Sequence, residues 1–532
     1  MQKRRTRTPL LFAVAIFALL LLTCGLYGCL SAPATSHKVA YIPLDNRPVN
    51  QERVRYLAKG AGIELLMPDE SLYRTALDPM QPNPDGSTLG NREALQKWLL
   101  EADKSCDYFI ISLDQMTSGG LVGSRWLSNE DLTQEYGILD TVLNLCENNT
   151  VYLFDTIMRL ASTVDYQGYT LQEYTALREY GMQARRTPEA DDLTVDRIIA
   201  NYTCAPDGAP IATDIPSAVL EQYLASRARK LKLIDYVLQK AGDKVDFFYI
   251  GVDDSSPENT IQTNEIQYIT SQMGENRVLG AAADEMGACC LARMICRLYN
   301  VEVPLQVTYF GGGEKKPADS FDIGTLEESM QNHFDALSAK ATPNTSNPLQ
   351  VLCLTRGSND ADRAALLAKI KKNQAQHIPT VLIDVSEDPK LLSEMIMTDP
   401  TIDICQLLGY SSWNTAANAI GLALSQGVAR YAYLSAVDRV SPDANEGFLQ
   451  ALTFSYIKDI SYKGFSPSLD GFLSNDYPCS ATNILSRINS GKIITSFAPF
   501  AAKSHGRISV SNFRYPWNRT FEMCFDIHIA AG

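Results

Sequence analysis

One pattern recurs along the chain. A short apolar, β-rich run ends in polar residues, and a helical pattern follows. The runs are "KVAYIPLD" (38–45), "IELLMPD" (63–69), "DYFIISLDQ" (107–115), "TVYLFDT" (150–156), "DFFYIGVDD" (246–254), "RVLGAAADE" (277–285), "PLQVTYF" (304–310), "LQVLCLTR" (349–356), "PTVLIDV" (379–385) and "ICQLLGY" (404–410). Their apolar character is continuous rather than alternating, as in strands buried on both faces. After the first run, Asn50 is placed to cap a helix with Val54, Leu57, Ala58 and Ala61 on one face. "EMGACCLARMICRLY" predicts a second helix. "NDADRAALLAKIKKN" predicts a third, opening on Asn or Asp and turning basic toward its end. Strand–helix alternation implies right-handed βαβ units. The expected class is α/β: a parallel sheet or (β/α) barrel-like main domain, a smaller C-terminal α/β region, and antiparallel strands at the end.

Breaks in the pattern suggest the organisation. "ATPNTSNP" (341–348) reads as a linker. It divides a main α/β domain over 38–340, carrying the site, from a second α/β region over 349–532 that contributes to the same cleft. The 186–217 stretch reads as an insertion or lid near the fourth unit. From 496 onward the pattern alternates more, which predicts antiparallel strands.

The first 28 residues differ from the rest. Lys3, Arg4, Arg5 and Arg7 precede an apolar run ending at Gly28, the pattern of a secretory signal. "LYGC" resembles a bacterial lipobox, with cleavage before Cys29 and lipid attached to it. Residues 29–37 then form a short tether. The other reading is an uncleaved anchor helix. Both place the chain at the cell membrane, on its extracytoplasmic face, with membrane lipid as a partner through Cys29.

Composition narrows the function. Of 532 residues, 45% are hydrophobic and 20% charged, as in a folded globular protein. The net charge of −14 argues against nucleic acid as a partner. The cysteines show no CxxC spacing and the five histidines no paired pattern, which disfavours a zinc site. No cofactor and no metal ligands are assigned. No GxSxG occurs, "GGLVGS" lacks a histidine partner for a serine hydrolase, and "GGGEKK" lacks the Gly-Lys-Ser/Thr ending of a phosphate loop.

In parallel α/β folds, ligands bind at the carboxyl ends of strands. The residues there are Asp45, Arg47 and Asn50; Asp114 and Arg125; Arg159; Asp253 and Asp254; Asp284 and Glu285; and Trp413, Asn414 and Asn418. A single Asp at a strand end usually caps a helix or forms a turn. Recurrence of acids, amides and arginines at one rim points instead to a site. Adjacent Asp253 and Asp254 face opposite ways in a regular strand, but Ser255, Ser256 and Pro257 suggest that the strand turns there.

"YIPLDNRPVN", "LDQMTSGGLVGSR", "TIMRLAS", "GVDDSSPEN", "AADEMGACCLAR" and "YSSWNTAANAIGLALSQG" together resemble the bacterial domain-of-unknown-function family 4127, over about 38–525. The chain departs from the expected pattern at 255–259, where small residues and glycine are expected after the two acids. The resemblance implies an exported bacterial protein and no particular activity.

Three functions suit the rim. A glycoside hydrolase acting on an N-acetylated saccharide would use Asp253 and Asp254: one orients the acetamido group, the other protonates the leaving oxygen. Trp413 would stack on a sugar, Asn414 would bind its hydroxyls or acetamide, and the other rim residues would hold substrate. A divalent-metal-dependent hydrolase would use the rim acids as oxygen ligands, although these rim residues show no HxD or DxD spacing. A solute- or glycan-binding lipoprotein would use the same rim without catalysis.

Overall fold

The computed structural model describes residues 37–126, 130–242, 244–342, 347–462, 508–519 and 523–530. The signal segment, Cys29 and the tether up to residue 36 lie outside them, as do 343–346 of the expected linker.

All ten apolar runs form strands. Six make one parallel sheet: β1 (Lys38–Ile42), β2 (Glu64–Leu66), β3 (Tyr108–Ser112), β4 (Thr150–Ile157), β5 (Phe247–Val252) and β6 (Arg277–Ala281), in the order β2-β1-β3-β4-β5-β6. A second parallel sheet holds β7 (Pro304–Phe310), the two-residue β8 (Lys340–Ala341), β9 (Leu349–Leu354), β10 (Thr380–Asp384) and β11 (Leu407–Ser411), in the order β11-β10-β9-β7-β8. Antiparallel β12 (Ile508–Arg514) and β13 (Cys524–Ile529) form a third. The sheets are open, with β2 and β6 as edges of the first, so the parallel-sheet alternative is realised and not the barrel.

Burial on both faces explains the continuous apolar runs. Every residue of β5 is buried, and each of its large side chains contributes on the order of 1.5–3 kcal/mol. Register aligns the strand ends. Ile42 pairs with Ile111, Ser112 with Phe154, Ile157 with Val252, and Val252 with Ala281. The loops that follow therefore emerge along one edge.

Helix α1 (Glu52–Gly60) follows β1, but Asn50 does not cap it: Gln51 holds the cap position without a side-chain bond. The Asn50 side chain turns to Asp45 instead. Between β4 and β5 the 186–217 stretch leads into the long helix α2 (Ser217–Ala241). Helix α3 (Met286–Tyr299) packs on the first sheet and α5 (Ala416–Ala436) on the second, with α4 (Leu326–Leu337) beside both. Helices α3 and α5 also pack on each other. Small residues let α5 fit closely, Gly427 against β10 and Gly421 against Glu285 at the start of α3. A Cβ on Gly427 would lie 2.1 Å from the Val381 side chain, and one on Gly421 would lie 2.2 Å from Glu285.

Candidate functional site

The loops after β3, β4 and β5 bring together four residues expected at the rim. Arg125 donates from Nε and Nη2 to Asp253 Oδ2, at 3.1 and 2.5 Å, and from Nη1 to Thr163 at 3.1 Å. Arg159 donates from Nη1 to Asp254 Oδ2 at 3.1 Å and from Nη2 to the Ser162 carbonyl at 2.8 Å. The strand does turn where expected: Asp254 has φ +28°, a left-handed value costly for a non-glycine residue. Both carboxylates consequently face partners from the β3 and β4 loops. The Leu160 N–H bonds the Asp254 carbonyl at 3.3 Å and ties the β4 and β5 loops together.

The two acids sit in unlike settings. Asp253 is buried, and both Arg125 donors take its Oδ2, which leaves Oδ1 for another group. The Asp254 side chain is 30% exposed. Desolvation and the neighbouring Asp253 push its carboxyl above the ordinary carboxylate range, against the pull of Arg159, Arg125 and Arg178. The Arg159 guanidinium lies 5.0 Å from the ring of half-buried Tyr174.

A second group joins the ends of β1 and β6. Arg47 donates to Asp284 at 3.0 and 2.5 Å and to Asp45 at 2.9 Å. Asp45 also accepts from Asn50 Nδ2 at 2.9 Å and from the Arg47 backbone. Trp517 lies 4.9 Å from the Arg47 guanidinium and donates to Asn46 at 2.9 Å. Trp517 also packs with Val122 of the β3 loop and Tyr166 of the β4 loop. It thus connects the two groups.

The remaining expected residues have other partners. Asp114 is wholly buried, where Lys230 of α2 reaches both it, at 2.5 Å, and Asp155. Thr156 donates to Asp114 from backbone and hydroxyl. Burial, opposed by Lys230 and reinforced by Asp114, lifts the Asp155 carboxyl to about 7. Glu285 is buried beside His333, 3.5 Å away. Trp413 is 1% exposed, with the cations of Arg53 and Lys458 at 5.9 and 5.0 Å from its ring. Asn414 is exposed with φ +66°. Asn418 bonds Thr415 at the start of α5.

Several further residues line these groups. Asp322 accepts from the Ala417 N–H at 2.8 Å, and burial lifts its carboxyl to about 7. Both amide atoms of Gln115 and the Thr75 hydroxyl are buried without hydrogen-bond partners. They lie where the strand order reverses between β1 and β3, the place where open α/β sheets bind ligands. Arg519 bonds Asp165 at 3.2 Å. Among the described residues no group of three or more His, Cys, Asp or Glu side chains is arranged to hold a metal ion.

A family model described as "Protein of unknown function (DUF4127)" matches residues 39–526. No curated protein and no solved structure matches the chain.

Proposed function

The chain belongs to the DUF4127 family, whose function is unknown, and from that starting point we propose that it is a glycoside hydrolase with Asp254 as general acid. The observation that carries this reading is the unlike setting of two adjacent carboxyl groups. Environments that separate paired acids assign their roles. Asp254, lifted and partly exposed, keeps a proton for the leaving oxygen. Asp253, clamped by Arg125, offers Oδ1 to the N–H of a substrate acetamido group.

In the first step the acetamido oxygen bonds to C1 while the C1–O bond breaks. The Asp254 proton passes to the departing oxygen. Water then bonds to C1, the acetamido oxygen leaves, and the water's proton returns to Asp254. The test is a panel of aryl N-acetylhexosaminides and other aryl glycosides. Asp254→Asn is expected to lower kcat about 10²–10⁴-fold with the melting temperature unchanged. The reading fails if no glycoside is turned over, if Asp254→Asn keeps activity, or if EDTA abolishes it. Glycan binding without turnover would instead mark a binding lipoprotein.

We also propose that the protein is tethered to the extracytoplasmic face of the cell membrane through lipid on Cys29. The basic start, the apolar run and "LYGC" support this. Mass spectrometry of the mature N-terminus should find a lipidated Cys29. An N-terminus upstream of it would refute the tether.

A further inference from the structure

We propose that the corner formed by the loops after β4 and β5 is an anion subsite, taking a carboxylate, sulfate or phosphate carried by the substrate sugar. This rests on the reading of Asp254 as an acid acting on a saccharide.

The first observation is an excess of cations. Three guanidiniums, those of Arg125, Arg159 and Arg178, act on the Asp253–Asp254 pair. Three cations therefore face two carboxyl groups, one of which holds a proton in the proposed mechanism. Arg178 bonds the Ser255 carbonyl at 3.2 Å and lies 4.2 Å from the Phe321 ring. Arg519, already matched by Asp165, stands close enough to Arg159 and Arg125 to feel both. Arg227, deeper, is matched by Glu265. In a chain of net charge −14, such a local surplus draws anions to this corner.

The second observation is a set of idle donors. Arg159 Nε, Ser162 Oγ and Ser255 Oγ are buried and have no hydrogen-bond partner. Leaving such groups unmade costs about 1–3 kcal/mol each. Ser255 follows Asp254 directly, and Arg159 bonds the Ser162 carbonyl at 2.8 Å. A tetrahedral or planar oxyanion supplies acceptors for all three, and guanidinium recognises both shapes. The partly exposed Asp254 and Arg159 leave an approach from solvent.

The probes are D-glucuronate, inorganic phosphate and inorganic sulfate, with D-glucose as the neutral control, titrated calorimetrically into the full mature protein. At least one anion is expected to bind about tenfold or more tighter than D-glucose, a difference one charge-assisted contact supplies. Phosphate and sulfate against D-glucuronate separate the sources of negative charge. Arg159→Met should remove the preference. The Ser162→Ala/Ser255→Ala double variant, which keeps every ion pair, should weaken anion binding severalfold at an unchanged melting temperature. Equal binding of anions and D-glucose overturns the subsite, as does anion binding untouched in both variants. If anions bind and no glycoside is cleaved, the subsite stands and the hydrolase reading falls. If neutral glycosides are cleaved and no anion binds, the reverse holds.

Discussion

Single buried charges set how this protein responds to pH. Asp322 is held by the Ala417 N–H, yet burial lifts its carboxyl to about 7, against about 3.9 in an unfolded chain. Between these values the native state keeps a proton that the unfolded chain has released. Stability therefore falls as pH rises from about 4 to 7. Asp322→Asn keeps an oxygen for Ala417 and has no proton to lose. In urea denaturation it should exceed the parent by up to the order of 3–4 kcal/mol above pH 8, with the gap closing near pH 4. A gap that does not change with pH would show that Asp322 is not the titrating group. Lys230 is shifted in the same direction: burial would lower it, but its two acid partners, Asp114 and Asp155, raise it on balance.

At the scale of elements, the decisive contact is between α3 and α5. Gly421→Ala would gain about 1 kcal/mol of helix propensity. Its methyl would meet Glu285 Cγ at 2.2 Å and His333 at 2.9 Å, and overpacking costs about 1–3 kcal/mol or more. Glu285 is fully buried and cannot swing aside. The variant should melt below the parent; a higher melting temperature would show that the junction gives way. Strands were legible in the sequence because burial on both faces leaves an unbroken apolar run. The two-residue β8 left no such trace, and strand order is not written in any local pattern. The rim acids were legible as strand-end residues, but their grouping was not: Asp114 is an interior ion partner and Asn50 serves Asp45. Lys230 escaped notice because "KLKLIDY" reads as an ordinary solvated surface. The signal was there in the spacing of buried Tyr223, Arg227, Lys230, Ile234 and Val237, which places two cations on an apolar stripe. Trp517 and Arg519 escaped because only the fold brings them back to the start of the chain.

Across the whole molecule, the two large sheets share one core. Val39 and Tyr41 of β1, Cys289 and Ile295 of α3, Val351 of β9 and Val381 of β10 belong to one continuous apolar cluster. Neither sheet can lose its helices without exposing the other's. Far-UV circular dichroism and tryptophan fluorescence should therefore trace coincident urea transitions, despite the chain's length. Two separated transitions would mean that the shared cluster does not couple the sheets. Among the free thiols in the same cluster are the three of α3, Cys289, Cys290 and Cys296, whose burial pushes their ionisation upward. Thiolate is the reactive form, and here it is both scarce and shielded. Helix α3 thus carries its own clock. An alkylating reagent reaches these sulfurs only when the joint between the sheets opens, so each label records one opening event.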